Sequence, residues 1–464
     1  MQNDRSEILG TMPMARLVPK VSIPIMFSML IQALYNVVDS IFVSRFDPNG
    51  LTAVSLAAPF QMLIIALSTG MGTGINSLLS RRLGERNPEG AKRGAWNGMF
   101  IEVLGSCMFI LFGLFLARVT MSAVVSENLA NAASIHSMGT EYLTIVTVFS
   151  MGVFMAVFFE RMLQATGNSV LSMITQLCGA VTNIILDPIM IFGLLGFPRM
   201  GVSGAAVATV IGQFVSAIVG FTLNQKKNPE LRLSREYLKI NKHDLHGIFS
   251  VGLPSTVMAS IGSVMNVGMN SILSGFTQSN AALNVMSVYF KLQSFIFMPV
   301  FGLANGIIAI LAYNYGARIK ERVYGCIKVA LTWACTILLV GTLVFMIFPG
   351  QLMAIFESEA EAEITAQMTD IGVVAMRTIS SGFLFAAIGI TLSTVFQAIG
   401  RGTYSMIMSI CRQLVILLPV AWLIARLTND VKAVWWCFPI AELAALVICL
   451  LYYRKCDKEI MSKL

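Results

Sequence analysis

Apolar residues fill this chain in long blocks, and its Lys, Arg, Asp and Glu gather mostly in the short stretches between them. The blocks lie near residues 18–44, 52–80, 94–118, 139–165, 169–193 and 200–223, then near 247–274, 281–313, 324–348, 366–397, 403–427 and 433–453. Each is long enough to cross a bilayer core as a helix, which takes about 20 residues. The runs do not alternate with the period of two that a barrel strand requires. The pattern predicts an all-α integral membrane protein of twelve transmembrane helices.

The second six blocks echo the first. Val21-Ser22-Ile23-Pro24 returns as Val251-Gly252-Leu253-Pro254, and the same offset of 230 sets Asn36 on Asn266. Gly70, Gly74 and Gly84 fall on Gly302, Gly306 and Gly316, and Gln164-Ala165-Thr166-Gly167 on Gln397-Ala398-Ile399-Gly400. An internal repeat of this size predicts two six-helix lobes, residues 1–223 and 247–464, joined by a basic linker over 224–246. Duplicated membrane units of this kind are a transporter architecture, because two similar halves can rock about a site between them.

Composition agrees. The chain is 56% hydrophobic and 12% charged, against about 25% charged in a soluble domain, and its mean hydropathy is +0.76. Residues 1–20 carry no apolar signal-peptide core, so the first span is expected to be retained. Basic residues crowd the connections that share a side with both termini, at 81–93, 226–242, 318–322, 401 and after 453; the other side has Arg45, Arg118, Arg199, Arg426 and Lys432. Both termini are therefore expected in the cytoplasm. The net charge of +8 reads as anchorage to anionic lipid rather than to nucleic acid, since no aromatic-interleaved basic patch occurs. Eight cysteines form no CxxC pair, the three histidines have no metal-ligand spacing, and no Walker A sequence or nucleophile elbow is present. Neither a cofactor nor an enzyme activity is expected, and transport would draw on an ion gradient.

Ionisable groups inside spans cost roughly 2.5–3.5 kcal/mol each on insertion scales, which makes them functional candidates. The acids here are Asp39, Glu102, Glu160, Asp187 and Glu442, four of them in the first half. Asp187 ends Thr182-Asn183-Ile184-Ile185-Leu186-Asp187-Pro188, where Asn183 shares its helix face and Pro188 frees the Ile184 carbonyl. That set of oxygens suits H⁺ or Na⁺; a solvated helix end is the alternative. Asp39 has Tyr35 and Asn36 on its face, and Met269 takes its place in the second half. If Asp39 faced Asp187, the two would repel when ionised and titrate as a unit. Glu160 would face a cavity, attracting a cationic substrate or taking a proton, unless it lies at the interface. Glu102 and Glu442 are expected to satisfy neighbours such as Arg412 or Lys291. Pro24 would let the first helix bend.

Taken in order, these motifs resemble the multidrug and toxic compound extrusion (MATE) antiporters, and most nearly their bacterial MepA-like branch. The carriers are Tyr35-Asn36-Val37-Val38-Asp39, Ser80-Arg81-Arg82-Leu83-Gly84-Glu85, the run from Glu160 to Asn168, Asn183 to Pro188, Gly201 to Thr209, and Gln397 to Gly400. The resemblance implies a V-shaped pair of lobes that exports cationic or amphipathic drugs in exchange for H⁺ or Na⁺ by alternating access. It implies a cation site of Asp39, Asn183, Asp187 and Thr209, with Glu160 as a cavity acid beside Tyr35, Asn36 and Asn266. Asn266 stands in the span where the NorM-type branch has an acid, and Asp39 stands where other MepA-like members have Asn. Pro24, Pro188 and Pro254 are the candidate hinges. A bacterial inner-membrane monomer with a role in antibiotic resistance is expected. The rival is a lipid-linked saccharide flippase of the same two-lobe plan, which would line its cavity with Arg and Lys rather than acids.

Overall fold

Helix follows helix along the chain, with no strand among the described residues. The computed structural model describes residues 6–126, 131–355 and 362–464, apart from the side chains at positions 36, 37, 40, 44, 48 and 362–366. The first half comprises α1 (Glu7–Thr11), α2 (Met14–Phe46), α3 (Pro48–Gly84), α4 (Pro88–Phe115), α5 (Ala117–Val124), α6 (Ala132–Val148), α7 (Met151–Ala165), α8 (Ser169–Phe192) and α9 (Val202–Lys227). The second comprises α10 (Lys242–Leu273), α11 (Ser279–Gly316), α12 (Lys320–Ile347), α13 (Pro349–Ala354), α14 (Ala362–Ser380), α15 (Phe383–Ala398), α16 (Gly402–Ile410), α17 (Leu418–Thr428), α18 (Val431–Val434) and α19 (Cys437–Glu459). Ten of the described helices are long and apolar enough to cross a membrane, or twelve spans when two bent pairs each count as one.

Local chemistry sets several starts. Asp47 caps α3 by accepting from the Asn49 amide at 2.8 Å, and Asn87 caps α4 by accepting from Gly90 at 2.8 Å. Each is followed by a proline at the first helical position, where the missing N–H costs nothing. Pro19, Pro24, Pro188 and Pro254 all lie inside continuous helices.

The fourth and tenth spans are each bent. They break between α6 and α7 by 44° and between α14 and α15 by 47°. No proline causes either bend. Hydroxyls bond the backbone beside each break: Thr147 donates to the Leu143 carbonyl at 2.6 Å, and Ser381 to the Thr378 carbonyl at 2.6 Å. Such back-bonding next to a break is a known source of helix bending. In the eleventh span, residues Cys411–Leu417 form a π-helical stretch between α16 and α17.

Two matching strips join the halves. On one, α3 meets α10: a Cβ on Gly70 would strike Thr256, and one on Gly74 would strike Ile248 and Gly252. On the other, α11 meets α2: Gly302 abuts Met26 and Gly306 abuts Ser22. Where α3 and α11 end, Gly84 presses on the Tyr313 carbonyl and Gly316 on the Arg81 carbonyl. Small residues at these points let backbones approach. The contacts obey the repeat, with Thr256 and Gly252 standing to the second half as Met26 and Ser22 stand to the first. All of them fall in the parts of the helices nearer the chain termini. Pro24 lies between Ser22 and Met26, and Pro254 between Gly252 and Thr256, so each sits within a strip.

Helix α1 crosses from one half to the other. Leu9 is buried and packs on Gly167, while its carbonyl accepts from Asn314 Nδ2 at 2.9 Å and Arg322 Nη2 at 2.9 Å. Arg322 also donates to the Met12 carbonyl at 2.8 Å and to Asn314 Oδ1 at 2.9 Å. Charge-assisted hydrogen bonds contribute roughly 1.5–3 kcal/mol each, and they share geometry here. Arg322→Ala is therefore expected to cost about 2–3 kcal/mol, read as a lower thermal midpoint and faster amide exchange across residues 6–13. Unchanged exchange there would show that Arg322 does not hold α1.

Candidate cation site

Three helices of the first half bring the predicted site residues together. Asp39 comes from α2, Asn183 and Asp187 from successive turns of α8, and Thr209 from α9. Asn183 Nδ2 donates to Asp187 Oδ1 at 3.1 Å and to Thr209 Oγ1 at 3.3 Å. Asp187 is fully buried, and the charge of Asp39 acts on it directly. The same two carboxylates act on Tyr35 and on Tyr142. Tyr35 hydrogen-bonds with Gln32, which accepts from Gln176 Nε2 at 3.2 Å; the Tyr142 hydroxyl donates to Gln61 Oε1 at 3.0 Å.

Three oxygens in this group are buried and accept from no donor: Asp39 Oδ1, Asn183 Oδ1 and Asp187 Oδ2. Leaving a buried acceptor unsatisfied costs about 1–3 kcal/mol, and more when it is charged. Apolar side chains of the same half, among them Val43, Leu143, Val146 and Ile191, form an apolar core around Tyr142. Two repelling carboxylates and an amide oxygen in such surroundings are completed by a positive charge. A proton on a carboxylate or a Na⁺ between the oxygens each meets that need. Among the described residues the second half has no such cluster at the matching place, where Met269 is buried in apolar core.

Glu160 lies elsewhere, in α7. It accepts from Gln164 Nε2 at 2.8 Å, and Gln164 also donates to Ser172 Oγ at 3.0 Å. Arg161 does not pair with it in a salt bridge; its Nη1 donates to Gln164 Oε1 at 2.8 Å and across the interface to Asn305 Oδ1 at 3.0 Å. Glu442 is paired as expected, with Arg412 Nη1 at 3.2 Å. Glu102 corrects the expectation of a satisfied neighbour. It is wholly buried and both carboxylate oxygens lack a hydrogen-bond partner, with Arg161 as its nearest electrostatic influence. Asn266 is half-buried in α10. The side chain of Asn36 lies outside the described residues.

Sequence reasoning missed Tyr142, Gln61, Gln32 and Gln176. They stand in different spans from the two acids apart from Gln32 and Gln176, and no short motif marks any of them. A polar residue on the inward face of an amphipathic span is the signal that finds such groups.

Comparison with known proteins gives a consistent picture. The family model described as MatE matches residues 24–189 and 254–423, one match in each half. Multidrug export protein MepA of Staphylococcus saprophyticus is 26% identical over 447 residues, covering 95% of this chain and 94% of that protein. An outward-facing multidrug resistance MATE family transporter superposes with a TM-score of 0.89 at 25% identity, over 100% of this chain and 99% of the other. A MOP superfamily transporter from Pyrococcus furiosus, described as having a binding pocket of reverse polarity that suggests a different function, also superposes with a TM-score of 0.89 at 25% identity, over 99% of each chain. The polarity of the pocket therefore has to be read from this chain's own residues.

Proposed function

Because the chain belongs to the MatE family, we propose that it is a multidrug exporter that moves cationic, amphipathic small molecules out of a bacterial cell in exchange for H⁺ or Na⁺. The buried pair Asp39 and Asp187, with three acceptor oxygens lacking a donor, is the observation that carries the reading. A pair of acids that repel in a buried site has a strong affinity for positive charge, and that affinity changes when the helices around it move. The export activity of the MepA relative supports the same reading.

The proposed cycle is a rocking exchange. Residues 1–223 and 247–464 tilt as two lobes about the glycine strips, with Pro24 and Pro254 inside those strips as flexing points. Pro188 sits beside the cation site and takes up the adjustment of α8. With both termini in the cytoplasm of the inner membrane, closure of the strips seals the inner side and gives the outward-open state. H⁺ or Na⁺ then reaches Asp39, Asn183, Asp187 and Thr209, removes the repulsion, and lets α2 repack. Cargo held near Glu160, Tyr35, Asn36 and Asn266 is released outside. The protein works as a monomer and needs no bound cofactor.

The test is efflux of a cationic dye from proteoliposomes, with a pH gradient and a Na⁺ gradient imposed separately. One of the two gradients alone is expected to drive the dye, and an anionic dye of similar size is expected to stay. Dye movement indifferent to both gradients would refute the exchange.

A further inference from the structure

The repeat places one turn in two copies and uses them differently. Gly167 closes α7 at φ +75°, and Gly400 closes α15 at φ +84°. Both conformations favour glycine, because a Cβ is strained there. In the first copy the space over the glycine is filled by Leu9 from α1. In the second copy the guanidinium of Arg81 lies against Gly400, and beside it is a cavity of about 670 Å³. The chain fills one site with its own apolar side chain and leaves the other open and cationic.

That cavity is lined by Arg81, Arg82 and Glu85 of α3, His243 and His246 of α10, and Arg401 at the start of α16. Arg82 is already engaged, with Glu85 at 3.1 Å and Asp244 at 3.2 Å. Arg81 spends its Nε on the Ser77 carbonyl at 3.2 Å. No ion pair to Arg81 or Arg401 occurs among the described residues, so the lining carries excess positive charge. Arg401 also occupies the N-cap position of α16, which no side chain caps, so the amides of the first turn add their partial positive charge. Nearby, Lys455 stands over the Tyr404 ring at 6.0 Å. The volume falls within the range of small-ligand sites.

We propose that this cavity binds a phosphate-bearing anion and that the bound anion holds the two halves together. Arginine forks and helix N-termini suit phosphate oxygens. Arg81 belongs to the first half and Arg401 to the second, so one anion touching both bridges the strip where α3 meets α10. The site lies on the side of the termini, distant in the chain's plan from the acids of the cation site. Two sources share the chemistry: the headgroup of an anionic phospholipid, whose leaflet lies at this level, and soluble phosphate.

The test uses the full chain in phosphatidylcholine nanodiscs, titrated in one arm with phosphatidylglycerol and in the other with inorganic phosphate. Thermal midpoint is the readout. The wild-type protein is expected to be stabilised in one arm, which identifies the source, and Arg401→Gln and Arg81→Gln are each expected to need about tenfold more of the effective probe. Arg81 also ties Ser77, so if Arg81→Gln does not fold, the exposed Arg401 carries the test with His246→Gln. Lys458→Gln, on the same side but away from the cavity, is expected to respond as wild type. The proposal is overturned if wild type responds to neither probe, if Arg401→Gln titrates as wild type does, or if Lys458→Gln weakens the response equally. The readout is binding, so a failure of the transport reading leaves it standing.

Discussion

Asp187→Asn is expected to abolish gradient-driven efflux while the protein folds and inserts normally. The substitution keeps shape and retains an oxygen that accepts from Asn183 Nδ2, as Asp187 Oδ1 does at 3.1 Å. It removes the charge that repels Asp39 and so fixes the site in its neutralised form. Exchange of one cation for another moves no net charge, so the ion gradient does the work: each tenfold gradient is worth about 1.4 kcal/mol and sustains roughly a tenfold dye ratio. Proteoliposomes with the variant are therefore expected to lose about that ratio of dye per coupled ion and to relax to equal concentrations. Asp39→Asn leaves Asp187 without its repelling partner and is expected to weaken coupling less completely. A variant Asp187→Asn that still builds the wild-type dye ratio would remove Asp187 from the mechanism.

Gly84→Ala is expected to part the lobes on the side of the termini. Its new Cβ would run into the Tyr313 carbonyl, which belongs to backbone and cannot swing away. Overpacking of this kind costs about 1–3 kcal/mol, and here the strain has an outlet, since the two halves can tilt. Faster amide exchange is expected at residues 78–86 and 310–320, with slowed dye efflux because the outward-open form is less populated. A lower thermal midpoint without any change in exchange at those segments would mean that the strain stays local. Gly316→Ala, which meets the Arg81 carbonyl, is expected to act alike.

Much of this was legible in the sequence because a bilayer enforces it. Apolar blocks of span length had to be helices, and the acids stood out within them. Asp39 and Asp187 were readable because a charge inside a span needs a reason, and Asn183 because it shares the helix face of Asp187. The glycines of the repeat were visible too, yet their partners were not. Gly74 meets Gly252 across 178 positions of chain, and no local pattern records such a distance. Tyr142 and Gln61 escaped for the same reason. The bends before Met151 and Phe383 escaped because no proline marks them. Glu102 shows the opposite failure: a rule that buried acids find partners predicted one, and none donates to it.

The doubled strip has an evolutionary and mechanical consequence. Two equivalent patches that grip each other reciprocally are what a symmetric homodimer uses, so a single six-helix unit already possesses both faces needed to pair with its own copy. Fusion into one chain then frees each patch to diverge. Damage to one strip leaves the other as an axle, and the molecule should swing lopsidedly, like a gate that has lost one of its two hinges.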